Sequence, residues 1–239
     1  MKTGGLHKLS LIDYPGKISA VVFTQGCNFR CPYCHNPGLV YPHLFSSPVP
    51  EHDILSFLSR RQGLIDGVVI TGGEPLLQPG LEDFIRRVRD MGFSVKLDTN
   101  ASNPARLEGL LKAGLIDYVA VDYKAPLRMY HMAAGTAVDT GDIVRSVTAV
   151  TGSGIPYEVR TTLFSGLGSD DITEMAEELH MMKAENYFLQ AFRPYADCGE
   201  DLAPREINLG RLYETLCGFS SYGIRNITKE EQCHYVCYR

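Results

Sequence analysis

The feature that most limits what this chain can fold into is a recurring step, a short apolar strand followed by an amphipathic helix. Strand candidates are Ile18–Thr24, Gly67–Thr71, Phe93–Asp98, Tyr118–Asp122, Tyr157–Leu163 and Tyr187–Ala191. Several are apolar on both faces, as in Val21-Val22-Phe23-Thr24, which suits parallel strands covered on each side. In the gaps, Leu81, Phe84, Ile85 and Val88 recur at helical spacing, as do Ile172, Met175, Ala176 and Leu179, and then Leu209, Leu212, Tyr213 and Leu216. Ser169-Asp170-Asp171 offers N-cap candidates, and Pro79 and Pro104 stand near helix starts, where a missing N–H costs little. Six such steps in 239 residues predict one α/β domain spanning residues 1–239. Eight complete units usually need about 250 residues. An incomplete parallel (β/α)6 barrel is therefore favoured, with a doubly wound open sheet as the alternative.

Composition narrows the function. Hydrophobic residues make up 44% and charged residues 21%, enough apolar material for a core. A net charge of −5 argues against a nucleic-acid binder with a broad basic face. No run of 18 apolar residues marks a membrane span, and the N-terminus lacks an apolar export segment, so a soluble cytoplasmic protein is expected. The seven cysteines are odd in number and unevenly spread, so reduced thiols at a metal or redox site fit better than a disulfide framework.

Residues 25–50 break the pattern. This stretch carries five prolines and three cysteines and leaves the end of the first predicted strand. Long loops inside a compact domain are usually functional, and parallel α/β folds gather their chemistry at the carboxyl ends of strands. Cys27, Cys31 and Cys34 can converge on one metal centre. A closed zinc site needs a fourth ligand, and His35, directly after Cys34, is awkwardly placed to supply it. A four-iron cluster normally takes four cysteines, so three would leave one iron open to another ligand.

The spacing C-x3-C-x2-C with Tyr33 before the last cysteine resembles the motif of the radical S-adenosylmethionine (SAM) enzymes. The chain is most similar to their glycyl-radical-enzyme activating branch. The opening Gly5–Val40 resembles activating proteins of anaerobic ribonucleotide reductase, and the likeness runs from about Gly5 to Pro194. It implies that Cys27, Cys31 and Cys34 hold a [4Fe-4S] cluster whose open iron chelates S-adenosylmethionine, with Tyr33 beside the adenine. The reaction implied is reductive cleavage of S-adenosylmethionine to a 5′-deoxyadenosyl radical, fed by a flavodoxin- or ferredoxin-like electron donor.

Other strand ends extend the likeness. Gly72-Gly73-Glu74 resembles the element that holds the methionine amino group, although adjacent glycines after a strand are also ordinary turn residues. Asp98, Thr99 and Asp122 resemble positions that hold a monovalent cation against the cofactor's carboxylate, and Lys124 one that touches the cofactor. Charged residues at strand ends also occur simply where a strand meets solvent. Arg160 lies mid-strand. Facing outward it is a surface cation, and facing inward it needs an anion, which the cofactor's carboxylate would supply. Gln190 and Arg193 either face the substrate or cap the sheet.

Cys198, Cys217, Cys233 and Cys237 fall in a C-terminal extension, residues 194–239, and match no zinc spacing, although Cys233 and Cys237 flank His234. Cys217, in a helical stripe, reads as core. Activating enzymes with extra clusters carry a cysteine-rich insertion after the first motif, and this chain has none. Serine-hydrolase, zinc-protease and phosphate-loop motifs are also absent from the sequence. The leading expectation is an enzyme that abstracts a glycine Cα hydrogen from a partner glycyl radical enzyme, with anaerobic ribonucleotide reductase as the favoured target. The alternatives are the same chemistry on a small molecule, or a non-catalytic metal-binding adaptor.

Overall fold

A computed structural model describes residues 1–193, Leu202 and residues 209–226. Its frame is one eight-stranded sheet: β1 (Thr3–Ser10), β2 (Ser19–Thr24), β3 (Gly67–Gly72), β4 (Ser94–Thr99), β5 (Tyr118–Asp122), β6 (Tyr157–Leu163), β7 (Asn186–Ala191) and β8 (Ser221–Arg225). The strands lie in sequence order, with β1 antiparallel to β2 and every other neighbouring pair parallel. A doubly wound sheet reverses strand order at a switch point. This one never reverses, so it winds in one direction and remains open between its edges, β1 and β8. That is the incomplete barrel.

All six predicted strands are present to within a residue at each end, and two more flank them. The sequence reading missed β1 because its first half carries two glycines, its second half is exposed at His7–Leu9, and neither holds an apolar run. It missed β8 because five residues with a central glycine, of which only Ile224 is buried, make a weak signal. β8 lies within the expected C-terminal extension, yet it pairs with β7 and adds a seventh parallel strand.

The helices are α1 (Pro37–Val40), α2 (Glu51–Ser59), α3 (Leu81–Asp90), α4 (Pro104–Lys112), α5 (Tyr130–Ala134), α6 (Thr140–Thr151), α7 (Ser169–Met181) and α8 (Leu209–Leu216). The predicted apolar stripes of α3 and α7 are buried in the core, as are Leu212 and Leu216 of α8, while Tyr213 is half-buried. In α3, Leu81, Phe84, Ile85 and Val88 are all fully buried, each worth about 2 kcal/mol against exposure. Pro104 opens α4, where the Asn103 side chain caps Arg106 N–H. At α7 the N-cap falls one residue before the Ser169-Asp170-Asp171 candidates. Gly168 is the N-cap residue, and its N–H donates to the Asp171 carboxylate at 2.8 Å. No helix among the described residues is long and apolar enough to cross a membrane.

Two features position the site. Residues 25–50 run irregularly between β2 and α2 apart from α1 and one 3-10 turn, and they hang over the carboxyl ends of the strands. At the opposite end, Tyr14 from the β1–β2 turn is buried against Val21 and Val69, its ring centroid 5.9 Å from that of Tyr118. The interior is thus plugged below and opens above.

Candidate active site

The cysteine loop is held by backbone contacts that leave no room for side chains. Gly26, with φ 99°, donates to Leu39 O at 2.7 Å and accepts from Glu74 N–H at 2.8 Å. A Cβ on Gly73 would overlap the Gly26 carbonyl oxygen and lie 2.7 Å from its carbon. At Gly72, φ is 115°, and a Cβ there would overlap Thr24 N. The paired glycines therefore let the end of β3 lie directly against the root of the cysteine loop. On the far side Arg30 N–H donates to Ala134 O at 2.7 Å, and its guanidinium closes the loop on Cys27 O and Phe29 O, both at 2.7 Å.

Cys27, Cys31 and Cys34 all face one cavity of about 390 Å³, a size suited to a small ligand. Burial pushes the Cys27 thiol up to about 11 and raises Cys31 as well, with Lys124 opposing the rise in both. Among the described residues no three His, Cys, Asp or Glu side chains are gathered closely enough for a single metal ion. His35 is engaged elsewhere: its ring stacks on Phe192 at 4.9 Å, and Nε2 lies 3.1 Å from Arg193 O.

The remaining predicted residues line the same cavity: Tyr33, Gly72, Gly73, Glu74, Asp98, Thr99, Asp122, Lys124 and Arg160, together with Gln190. They arrive from the carboxyl halves of β3 to β7 and from the cysteine loop. Tyr33 stacks on Phe164 at 4.1 Å, and its buried hydroxyl has no hydrogen-bond partner. An orphaned buried hydroxyl beside three thiols and an open cavity is what a polar ligand would complete. Glu74 is fully buried and serves as a staple: its carboxylate accepts from Thr99 Oγ1 at 2.7 Å, Asn100 N–H at 2.7 Å and Leu76 N–H at 3.0 Å. Burial still raises its carboxyl to about 7, the three hydrogen bonds offsetting only part of the cost.

The sequence left the direction of Arg160 open, and the structure turns it inward. Register sets Asp122 directly beside Arg160, and Asp98 in a row with Ala120 and Glu158. Ala120 is the small member of that row, leaving space for the charged groups around it. Arg160 donates to Asp122 Oδ1 from Nε at 3.1 Å and from Nη2 at 2.9 Å, and to Asp98 Oδ2 at 3.3 Å. Burial alone would raise the Asp122 carboxyl, but Arg160 and Lys124 outweigh it and hold the group below its usual value. Its side chain remains 38% exposed, open to a ligand.

Sequence reasoning missed three participants. Asn100 lines the cavity and donates to Asn28 Oδ1 at 3.0 Å. Lys96 and Glu158 lie one layer deeper, 1% and 2% exposed. The available signal was charge at period two inside buried strands, Lys96 with Asp98 and Glu158 with Arg160. Cys217, expected in the core, is exposed, with its thiol donating to Glu214 O at 2.9 Å. It ends a short helix and points away from the stripe formed by Leu212 and Leu216. Cys198, Cys233 and Cys237 lie outside the described residues.

A singly wound open barrel with a three-cysteine loop over its carboxyl rim defines a class of cluster-dependent enzymes. Residues 21–179 match the radical SAM superfamily, and the chain belongs to it. It is 35% identical over 197 residues to a Methanocaldococcus jannaschii protein provisionally named as a glycyl-radical enzyme activating enzyme, covering 80% of this chain and 79% of that one. It is 38% identical over 135 residues to the 7-carboxy-7-deazaguanine synthase of Methanopyrus kandleri, covering 47% of this chain and 52% of that one. Streptococcus suis SuiB bound to S-adenosylmethionine shares the fold, with a TM-score of 0.68 at 14% identity over 86% of this chain and 50% of that one.

Proposed function

We propose that this protein is a glycyl-radical enzyme activating enzyme that removes one hydrogen atom from a glycine Cα of a partner polypeptide. Its target is a glycyl radical enzyme, with anaerobic ribonucleotide reductase as the first candidate. The observation that carries the reading is that one cavity joins the three-cysteine loop to the ends of five strands, in a chain whose similarity to the M. jannaschii protein covers 80% of its length. The likeness to the deazaguanine synthase, which favours a small-molecule substrate, covers under half of the chain.

In this reading Cys27, Cys31 and Cys34 hold a [4Fe-4S] cluster, and the cavity beside them receives S-adenosylmethionine. When bound, the two supply one-electron reductive cleavage of a sulfonium and a radical able to take hydrogen from carbon. The protein's part is placement. Gly72 and Gly73 bring a bare backbone edge to the cofactor, and Glu74 fixes that edge to the end of β4. Lys124 and Arg160 present positive charge to a carboxylate, and the Tyr33 hydroxyl completes its hydrogen bonding on the ligand. The electron comes from a flavodoxin- or ferredoxin-like donor at the rim. A cytoplasmic setting follows from thiols that must stay reduced, and residues 1–239 act as one unit.

The decisive experiment mixes anaerobically reconstituted, reduced protein with S-adenosylmethionine and candidate glycyl radical enzymes. Electron paramagnetic resonance should show a glycyl doublet on the true partner. No doublet with any candidate, together with consumption of a metabolite, would replace this reading with the small-molecule one. Cys31→Ala should lose iron and 5′-deoxyadenosine formation while circular dichroism stays unchanged, and iron at wild-type levels would remove Cys31 from the ligand set.

A further inference from the structure

The aspartates expected to hold a monovalent cation are already occupied by cations of the protein. Asp98 Oδ1 accepts from Lys96 Nζ at 2.7 Å, and its Oδ2 from Arg160 Nη1 at 3.3 Å. Asp122 Oδ1 takes two donors of the same guanidinium, and Oδ2 lies 3.7 Å from Lys124 Nζ. Only that last oxygen is loosely engaged. A metal ion between the two carboxylates would have to stand against the guanidinium that bridges them, where like charge opposes it.

The bridging charges are fixed from behind. Lys96 is 1% exposed and lies behind the cavity wall, with its ammonium 3.8 Å from Glu158 Oε1 and 5.7 Å over the Tyr118 ring. Glu158 is held in turn by Arg160 at 3.6 Å and by Arg225 of β8 at 2.6 Å. Within this linked set, three carboxylates (Asp98, Asp122, Glu158) meet four cations (Lys96, Lys124, Arg160, Arg225). The surplus is one positive charge, the complement of one carboxylate on a ligand. Adding a potassium or sodium ion would leave two.

We propose that Lys96, with Arg160, replaces the monovalent cation. The aspartate pair is balanced by covalently attached charge, and this protein receives the carboxylate of S-adenosylmethionine without potassium or sodium. Lys96 acts as a positioning residue: it touches Asp98, not the ligand. This inference rests on the cofactor reading above, so its test includes an arm that does not need the cofactor.

Binding of S-adenosylmethionine to the reconstituted protein is measured by calorimetry in potassium, sodium or tetramethylammonium chloride at equal ionic strength. The wild-type affinity should agree within about twofold across the three salts, and a loss of about tenfold in tetramethylammonium, a difference of about 1.4 kcal/mol, would overturn the proposal. In the cofactor-free arm, thallium(I) titrated into the same protein should show no saturable site displaced by potassium, and such a site lost on Asp98→Asn would overturn it too. Lys96→Met should weaken binding roughly tenfold in tetramethylammonium and regain it in potassium. Equal weakening in all salts would make Lys96 merely structural. Lys96→Arg should behave as wild type. If Lys96→Met does not fold, the two wild-type arms decide alone. If S-adenosylmethionine binds in no salt, the proposed function fails, and the thallium arm still settles the charge assignment.

Discussion

Gly73→Ala tests whether the site depends on backbone contact between the end of β3 and the cysteine loop. An added Cβ would lie 2.7 Å from the Gly26 carbonyl carbon and overlap its oxygen. Carbon atoms in contact prefer about 3.5 to 4.0 Å, so the two backbones must separate by roughly 1 Å. Both are backbone, so no side chain can swing aside. Overpacking of this kind costs about 1 to 3 kcal/mol, and straining the Glu74 N–H to Gly26 O bond adds about 1 kcal/mol. A loss of about 3 kcal/mol lowers Tm by about 6 to 12 °C in a chain of this size. Because Gly26 precedes Cys27, iron and sulfide content after reconstitution should fall sharply as well. Gly114→Ala is the control. Its φ is +62° and nothing lies within 4 Å of the new Cβ, so it should cost only the left-handed strain of about 1 kcal/mol and leave iron unchanged. Scanning calorimetry and iron analysis on the same preparations decide. A Gly73→Ala protein with wild-type iron and a Tm within about 2 °C of wild type, less than 1 kcal/mol for this size, would refute the reasoning.

Glu74 yields a pH prediction. Its carboxyl is raised from 4.5 to about 7, so the folded state holds a proton that the unfolded chain has released. Stability is therefore full below about pH 4.5 and falls as pH rises toward 7, by up to about 3 kcal/mol. Glu74→Gln should flatten that part of the profile in urea unfolding at pH 5 and pH 8, and an unchanged difference between the two pH values would contradict it. Tyr33→Phe removes a buried hydroxyl without a partner, so the cofactor-free protein should gain up to about 1 kcal/mol. S-adenosylmethionine should bind it more weakly, and tighter or equal binding would mean that the hydroxyl does not meet the ligand. Cys217→Ser, at an exposed thiol, should leave Tm and iron content at wild-type values; loss of iron would bring this cysteine back as a ligand.

Much of the site could be read along the chain because its signals are local. The cysteines lie within eight residues, and Gly72-Gly73-Glu74, Asp98-Thr99 and Asp122 each end an apolar strand recognisable by itself. A parallel topology then carries every such end to the same rim. The part played by the glycines was not legible. It depends on Gly26, some fifty residues away, and no window of sequence contains both partners.

What the residues alone determined was the repeat of buried strand and helix, the looped-out cysteines and the set of polar strand ends, since each follows from spacing over a few positions. Only the tertiary structure ruled out the doubly wound alternative, set β1 and β8 as the sheet's edges, and turned Arg160 inward onto two aspartates with Lys96 behind them. Those outcomes rest on register between strands that are distant in the chain. There a one-residue slip would send every side chain of a strand to the other face of the sheet.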